Sequence, residues 1–299
     1  MHRRVPLPDL VDLHVHSSVS DGIYRPREVV RRAAEVGLKA LAISDHDTVA
    51  GVPEAVGAGE EFGVEVIPAV EISAEFDGGA CHILGYFINP LNEELNELLR
   101  EARRSRAERT VKIIERLEAL DMPLSLEDVQ ARSEDCVTTR AHFASALIEK
   151  GYAKTWEEAF AKYLGCGKPA YVYCRRVEPE RTIRVLHGAG GLAVLAHPRQ
   201  MKRSLAETDE WIAHLADAGL DGIETQSPDH GEDLARHYQA AAERLGLVET
   251  GGTDWHGHKT SPLVLGIGHG TMRIPYAVVE KMKERPAGRE TSSASHTDA

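Results

Sequence analysis

Fifteen histidines in a 299-residue chain are the first sign of chemistry, because many of them fall in short motifs with carboxylates. His14 and His16 are two positions apart, so on a strand both project from one face. His46 sits between Asp45 and Asp47, Glu71 closes Pro68-Ala-Val-Glu71, His82 follows Cys81, and His197 follows Ala196. Glu224, Asp254 and His256 extend the set toward the C-terminus. Neutral imidazoles and carboxylates, with no C-x-x-C pair among the cysteines, suit divalent Zn, Mn or Fe rather than a soft thiolate site. One ion takes about three or four protein ligands, so this many candidates imply two or three ions. Ions roughly 3.5–4 Å apart can activate water and stabilise the entering and leaving oxygens of a phosphoryl displacement.

Such residues need elements that bring them together, and each lies at or beside a short apolar run. Strands are predicted at Leu10–Val15, Ala40–Ser44, Val64–Ile72, Ile83–Phe87, Leu192–Ala196, Gly222–Thr225 and Val248–Thr250. Between them run helical patterns at Pro26–Val36, with Gly37 as its stop, and at about Ala206–Ala218 and Gly231–Leu245. That alternation predicts parallel βαβ units. In a parallel barrel all C-terminal strand ends share one face, so residues about 240 positions apart would converge there. From Leu91 to Tyr171 the periodicity is helical throughout, at Leu95–Leu120, Ser125–Ala131, Arg140–Glu149 and Trp156–Leu164. The expected organisation is one α/β barrel from 1–90 and 172–285, a helical insertion at 91–171 that covers the substrate, and a polar, disordered tail at 286–299.

The net charge of −12 argues against extended contact with duplex DNA, and leaves a small or short anionic substrate that meets local positive charge. No apolar run approaches the ~20 residues of a membrane span. The start, Met1-His-Arg-Arg-Val, leads into Pro6, Pro8 and Asp9, and the four cysteines (Cys81, Cys136, Cys166, Cys174) read as reduced thiols, so a cytoplasmic protein is expected. Arg100–Glu118 carries seven basic and four acidic residues and reads as a solvated helix face with pairs such as Glu108–Lys112. At 5% aromatic residues no base-stacking platform is apparent. His2, His214, His237, His258, His269 and His296 read as solvated, and His187 as a helix C-terminal cap.

The ordered series Asp12-Leu-His14-Val-His16-Ser-Ser-Val-Ser-Asp21-Gly, Ser44-Asp45-His46-Asp47, Pro68-Ala-Val-Glu71-Ile-Ser, Ala196-His197-Pro198 and Gly252-Thr-Asp254-Trp-His256 resembles the motifs of the PHP (polymerase and histidinol phosphatase) family. The insertion resembles that of its stand-alone phosphoesterases, which include 3′,5′-nucleotide bisphosphate phosphatases and 5′→3′ exoribonucleases of short RNA. The resemblance implies a distorted (β/α)7 barrel with a mainly helical insertion and a trinuclear centre. His14, His16, Glu71 and Asp254 would hold one ion, Glu71 would bridge to a second completed by His82 and His197, and Asp21, His46 and His256 would hold the third.

The insertion also offers Arg140-Ala-His142 and Gly167-Lys168-Pro-Ala-Tyr171, which resemble the subgroup's Arg-x-His and Gly-(Arg/Lys)-x-x-Tyr elements. Arg140 and Lys168 would grip phosphate, with Arg199 a third candidate, and His142 or His230 would protonate the leaving oxygen after attack by a metal-bridged hydroxide. The implied function is metal-dependent hydrolysis of a nucleotide phosphate ester, from a 3′,5′-bisphosphonucleotide or the 5′ end of short single-stranded RNA. A histidinol-phosphate-type monoesterase and a non-catalytic metal-binding accessory module are the alternatives.

Overall fold

Seven strands form one sheet in chain order: β1 (Val11–Val15), β2 (Ala40–Ile43), β3 (Glu65–Phe76), β4 (Gly79–Tyr86), β5 (Leu192–Leu195), β6 (Gly222–Gln226) and β7 (Val248–Gly251). The computed structural model describes residues 9–76, 79–129, 137–258 and 261–285; the expected tail, His2, Cys136 and His296 lie outside them. β1, β2 and β5 are buried at every position, as strands covered on both faces must be. That burial is why they read as plain apolar runs with no alternation.

The sheet departs from the expected all-parallel pattern at one strand. β1–β2–β3 and β5–β6–β7 pair in parallel, whereas β4 runs antiparallel to both of its neighbours. β3 and β4 pair from Ala69↔Tyr86 out to Phe76↔Gly79, well beyond the predicted limits Val64–Ile72 and Ile83–Phe87. Ser73 and Glu75 interrupt the apolar run while their backbone continues the ladder. His82 is therefore a strand residue opposite Ser73, and it reaches the site from the first half of its strand.

The barrel closes between β1 and the segment after β7. Asp254 N–H donates to His14 O (2.8 Å) and His16 N–H to Trp255 O (2.9 Å). Gly252 makes this approach possible, since a Cβ there would fall 2.2 Å from the Cβ of His14. Asp12, fully buried, accepts from Thr253 N–H (2.9 Å), Thr253 Oγ1–H (2.6 Å) and Gly266 N–H (2.8 Å), which ties the two edges together.

The helices are α1 (Pro26–Val36), α2 (Val52–Phe62), α3 (Glu93–Glu118), α4 (Leu126–Val129), α5 (Arg140–Glu149), α6 (Trp156–Ala159), α7 (Pro179–Gly188), α8 (Leu205–Asp217), α9 (Glu232–Leu245) and α10 (Ala277–Lys283). α1 has its proline in the first turn and Gly37 at φ 84° beyond its end, as the sequence implied. α3 to α6 lie between β4 and β5, and together they bury a core of their own that includes Ile113, Leu117, Phe143, Leu147 and Leu164. α3 also belongs to the barrel, because Leu95, Leu98 and Leu99 pack with Ile83, Ile183 and Leu195. One helix thus carries the insertion on the barrel. Among the described residues no helix is long and apolar enough to cross a membrane.

Asp12→Ala leaves three buried donors at the seam without their acceptor. Urea unfolding should show a loss of about 3 kcal/mol, and a loss under about 0.5 kcal/mol would remove the role given to this carboxylate.

Candidate metal centre

Glu71, near the middle of β3, has no exposed surface and is ringed by imidazoles. Its Oε1 lies 2.7 Å from His82 Nδ1 and 2.9 Å from His197 Nε2. Its Oε2 lies 2.9 Å from His46 Nδ1, 3.3 Å from His16 Nε2 and 3.4 Å from His14 Nε2. Asp254 Oδ1 is 3.1 Å from His16 Nε2, and on the far side Asp21 Oδ1 is 3.1 Å from His256 Nε2. Among the described residues four overlapping groups place their ligand atoms within 4.8 Å of one another: His16-Asp21-His46-His256, His14-Glu71-His197, His14-His16-Asp254 and His46-Glu71-His82. All nine implied ligands lie in these groups. The groups share members more than the implied sets do, since His16 also joins the Asp21 group and His46 the Glu71–His82 pair.

A divalent ion fits this donor set on grounds internal to the structure. His14 Nε2, His16 Nε2, His46 Nδ1, Glu71 Oε2 and Asp254 Oδ1 are buried atoms with no hydrogen-bond partner, and they converge. Such groups are costly to leave orphaned, and together they offer the nitrogen and oxygen donors that Mn, Zn or Fe accept. Neighbouring groups set which ring nitrogen is free. His14 Nδ1 faces Glu224 Oε1 at 3.1 Å, and His256 Nδ1 donates to Asp254 O at 2.8 Å, so in both rings Nε2 is left for a ligand. Glu224, which the sequence placed among the strand-end candidates, thus orients His14; its Oε2 accepts the His197 N–H at 2.7 Å. The loop after β1 is held by Asp45, which accepts from Ser17 Oγ–H (2.6 Å) and Ser20 Oγ–H (2.7 Å) and so fixes Asp21 beside them.

The backbone is strained where it turns into the site. Asp47, His197 and Asp254 sit at φ 52°, 25° and 51°, a region L-residues avoid. Each is held there by a short bond: Asp47 N–H to Glu71 O (2.8 Å), His197 N–H to Glu224, and Asp254 N–H to His14 O.

Charge in the cluster is coupled. Burial opposes the imidazolium form of His14, yet Glu71, Glu224 and Asp254 outweigh it and raise the pKa well above the usual range. His16 is likewise raised, to about 9, against its burial by Asp254 and Glu71. Glu71 and Asp254 are held well below the usual carboxylate range, against the upward pull of burial, by the histidines around them. His82 goes the other way, pushed down to about 4 by burial despite Glu71.

A cavity of about 180 Å³ opens on this cluster and is walled by Asp21, His46 and His82 on one side and by five arginines on the other: Arg106, Arg109, Arg140, Arg175 and Arg176. The solvated face expected on α3 holds for Arg100, Arg104, Lys112 and Arg116, which are exposed, but not for Arg106 and Arg109, which are 8% and 5% exposed. Arg106 donates to Asp47 Oδ2 (2.5 Å) and Ser73 Oγ (2.6 Å). Arg109 Nε has no partner, and burial, with Arg106, Arg140 and Arg176 nearby, lowers its pKa to about 9. The motif series passed over these arginines. Their interleaving with glutamates hid them, although the excess of seven basic over four acidic residues across Arg100–Glu118 was the available signal.

The other predicted residues are placed unevenly. Arg140 lines the arginine cavity, with its guanidinium 5.6 Å from the Phe160 ring and 5.7 Å from Tyr171. His142 caps α5: its Nδ1 accepts the Thr139 N–H at 3.0 Å, so the neutral ring carries its proton on Nε2. His230 is the reverse. Its Nδ1 donates to Thr225 O at 3.0 Å, leaving Nε2 as a buried acceptor without a partner. Lys168 is exposed in the turn after residue 165 and is not among the cavity's lining side chains. Arg199 is exposed and lines a different groove with Asp229 and Tyr238. His258, expected to be solvated, is half-buried against Trp156, and His187 pairs with Asp221 at 2.8 Å.

Residues 12–166 match the family model described as the PHP domain. The chain is 34% identical over 245 residues to a 5′-3′ exoribonuclease of Haemophilus influenzae, covering 82% of this chain and 89% of that protein. It is also 34% identical over 247 residues to a 3′,5′-nucleoside bisphosphate phosphatase of Chromobacterium violaceum, covering 82% and 87%. In three dimensions it is similar to a Bifidobacterium adolescentis protein solved as a candidate metal-dependent phosphoesterase, with TM-score 0.84, 33% identity and 92% and 96% of the two chains covered.

Because His14, His16, His46, His197 and His256 hold protons more tightly than free imidazoles, an arriving cation must displace them. Mn²⁺ added to EDTA-treated protein at pH 7 should release protons to an indicator dye, and its affinity should rise with pH up to about 9. Glu71→Gln should lower the bound ions per chain by at least one; unchanged stoichiometry would remove Glu71 from the ligand set.

Proposed function

Because the chain belongs to the PHP family, we propose that it is a metal-dependent phosphoesterase whose substrate carries a second phosphate. That substrate is a 3′,5′-bisphosphonucleotide or the 5′ end of a short single-stranded RNA. The observation that carries this reading is the arginine cavity, whose wall is shared with Asp21, His46 and His82. Arg106 is taken up by Asp47 and Ser73, but five guanidinium-bearing residues gathered in one cavity, with Arg109 Nε buried and unpartnered, offer more positive charge than that pair neutralises and suit an anion. The curated relatives named above act on substrates of this kind, as their names state.

Two or three divalent ions, Mn, Zn or Fe, would be held by His14, His16, Asp21, His46, Glu71, His82, His197, Asp254 and His256, and would supply Lewis-acid polarisation and water of lowered pKa. Arg109 and Arg140 would fix the second phosphate and so hold the scissile one against the cluster. Positive charge already in place there offsets the charge that grows on the phosphoryl oxygens. His142, neutral with its proton on Nε2, would donate a hydrogen bond to a phosphoryl or leaving oxygen without transferring the proton, whereas His230 presents an acceptor there.

Histidinol phosphate fits less well, because its amine cation would meet the arginines. A non-catalytic module fits less well still, since the donor set is whole and an arginine-lined cavity with room for a phosphate adjoins it.

Phosphate release from 3′,5′-bisphosphonucleotides and histidinol phosphate, together with 5′-mononucleotide release from 5′-phosphorylated oligoribonucleotides, tests the reading directly. The two nucleotide classes should lead. Arg109→Met should lower kcat/KM for the bisphosphonucleotide by about tenfold or more, and that for histidinol phosphate by much less. Equal losses on both would show that the cavity does not read the second phosphate.

A further inference from the structure

A second cavity, of about 670 Å³, reaches the same centre past different ligands. Asp254 and His256 belong to its wall, and Ala141, in the first turn of α5, borders both this cavity and the arginine-lined one. Its apolar and aromatic lining is Ile148 from α5, Trp156 at the start of α6, and Pro262 and Leu263 from the segment after β7, with Glu149, Lys154 and Glu157 also on its wall. Three imidazoles lead into it from the metal centre. The rings of His16 and His256 stack at 4.2 Å with an interplanar angle of 14°, and His256 and His258 continue the row at 6.1 Å and 15°. The row ends at Trp156, whose ring lies 5.1 Å from that of His258. The His258 ring is half-buried, and its Nε2 is buried with no partner.

We propose that this groove seats the nucleoside of the substrate, with the base stacked on Trp156 and within reach of His258 Nε2. The inference rests on the reading of the centre as a nucleotide phosphoesterase and adds where the base goes. The arginine cavity is polar, and at about 180 Å³ it has room for a phosphate but not for a whole nucleotide. A base attached to a phosphoryl group at the metal centre needs an apolar space that begins at the ligands, and this groove does. Stacking on an indole is tolerant of base identity because every base has a π-face. The unpartnered Nε2 supplies one hydrogen-bonding group for a base edge or a ribose hydroxyl.

The test compares adenosine 3′,5′-bisphosphate with base-free ribose 3,5-bisphosphate, which keeps both phosphates and lacks only the stacking group. Trp156→Leu retains apolar bulk for packing but no aromatic face, while Trp156→Phe retains both. The ratio of kcat/KM for the two substrates should fall about tenfold in W156L and stay within twofold of wild type in W156F. An unchanged ratio in W156L, with both substrates turned over, would overturn the proposal. Adenosine should also quench the tryptophan emission of EDTA-treated wild-type protein and fail to quench W156F. If the wild type hydrolyses neither bisphosphate, the phosphoesterase reading falls on its own. The quenching measurement then decides the groove: quenching lost in W156F supports it, and quenching that persists there ends it.

Discussion

Five imidazoles crowd one carboxylate that has no contact with water, and that arrangement governs the rest of the molecule. An ionised Glu71 in this position is tenable only with positive charge beside it, because burial of an unpaired carboxylate is severely unfavourable. Protons on His14, His16 and their neighbours can supply that charge, and so can divalent ions. The two oxygens of Glu71 face different histidines, Oε1 toward His82 and His197 and Oε2 toward His14, His16 and His46. The carboxylate thus faces two different sets of donor groups.

Holding that geometry is what the barrel and its seam accomplish. Glu71 comes from β3, His14 and His16 from β1 and its end, and Asp254 and His256 from the segment that pairs with β1. A slip of one residue at the seam would turn His14 away from the centre, since side chains alternate along a strand. Asp12 with its three donors and Gly252 with its close approach to His14 fix the register. Left-handed backbone at Asp47, His197 and Asp254 is maintained against its intrinsic cost by hydrogen bonds to strand backbone or to Glu224.

The insertion supplies what a metal cluster lacks, namely walls. α3 is rooted in the barrel core at Leu95 and Leu98 and belongs at Ile113 and Leu117 to the insertion's own core. Between these anchors it presents Arg106 and Arg109, and the Arg106–Asp47 pair links the helix to the loop that carries His46. α5 then divides the space above the centre. Arginines lie to one side and Trp156 with Ile148 to the other, so phosphate and base are offered separate surfaces.

Much of this was legible from residue types and spacing. The existence of the seven strands, the α1 stop at Gly37, the helical stretch between β4 and β5, and the histidine and carboxylate positions are local features, set by periodicity and by the residue's own chemistry, whereas the ends of β3 and β4 were misplaced. The motif order then carried the family. One signal was passed over: only two residues separate Phe76 from Gly79, too few for a parallel crossover, so β4 must run antiparallel to β3. Two things were not legible. Arg106 and Arg109 look like any solvated helical charge until the loop with Asp47 and the start of α5 fold over them. His258 becomes part of an aromatic groove only when α6, remote in sequence, arrives beside it. Residue identity alone determined which groups could bind metal and phosphate. Tertiary packing decided which were stripped of water and left without partners, because desolvation belongs to what surrounds a side chain and not to the side chain itself.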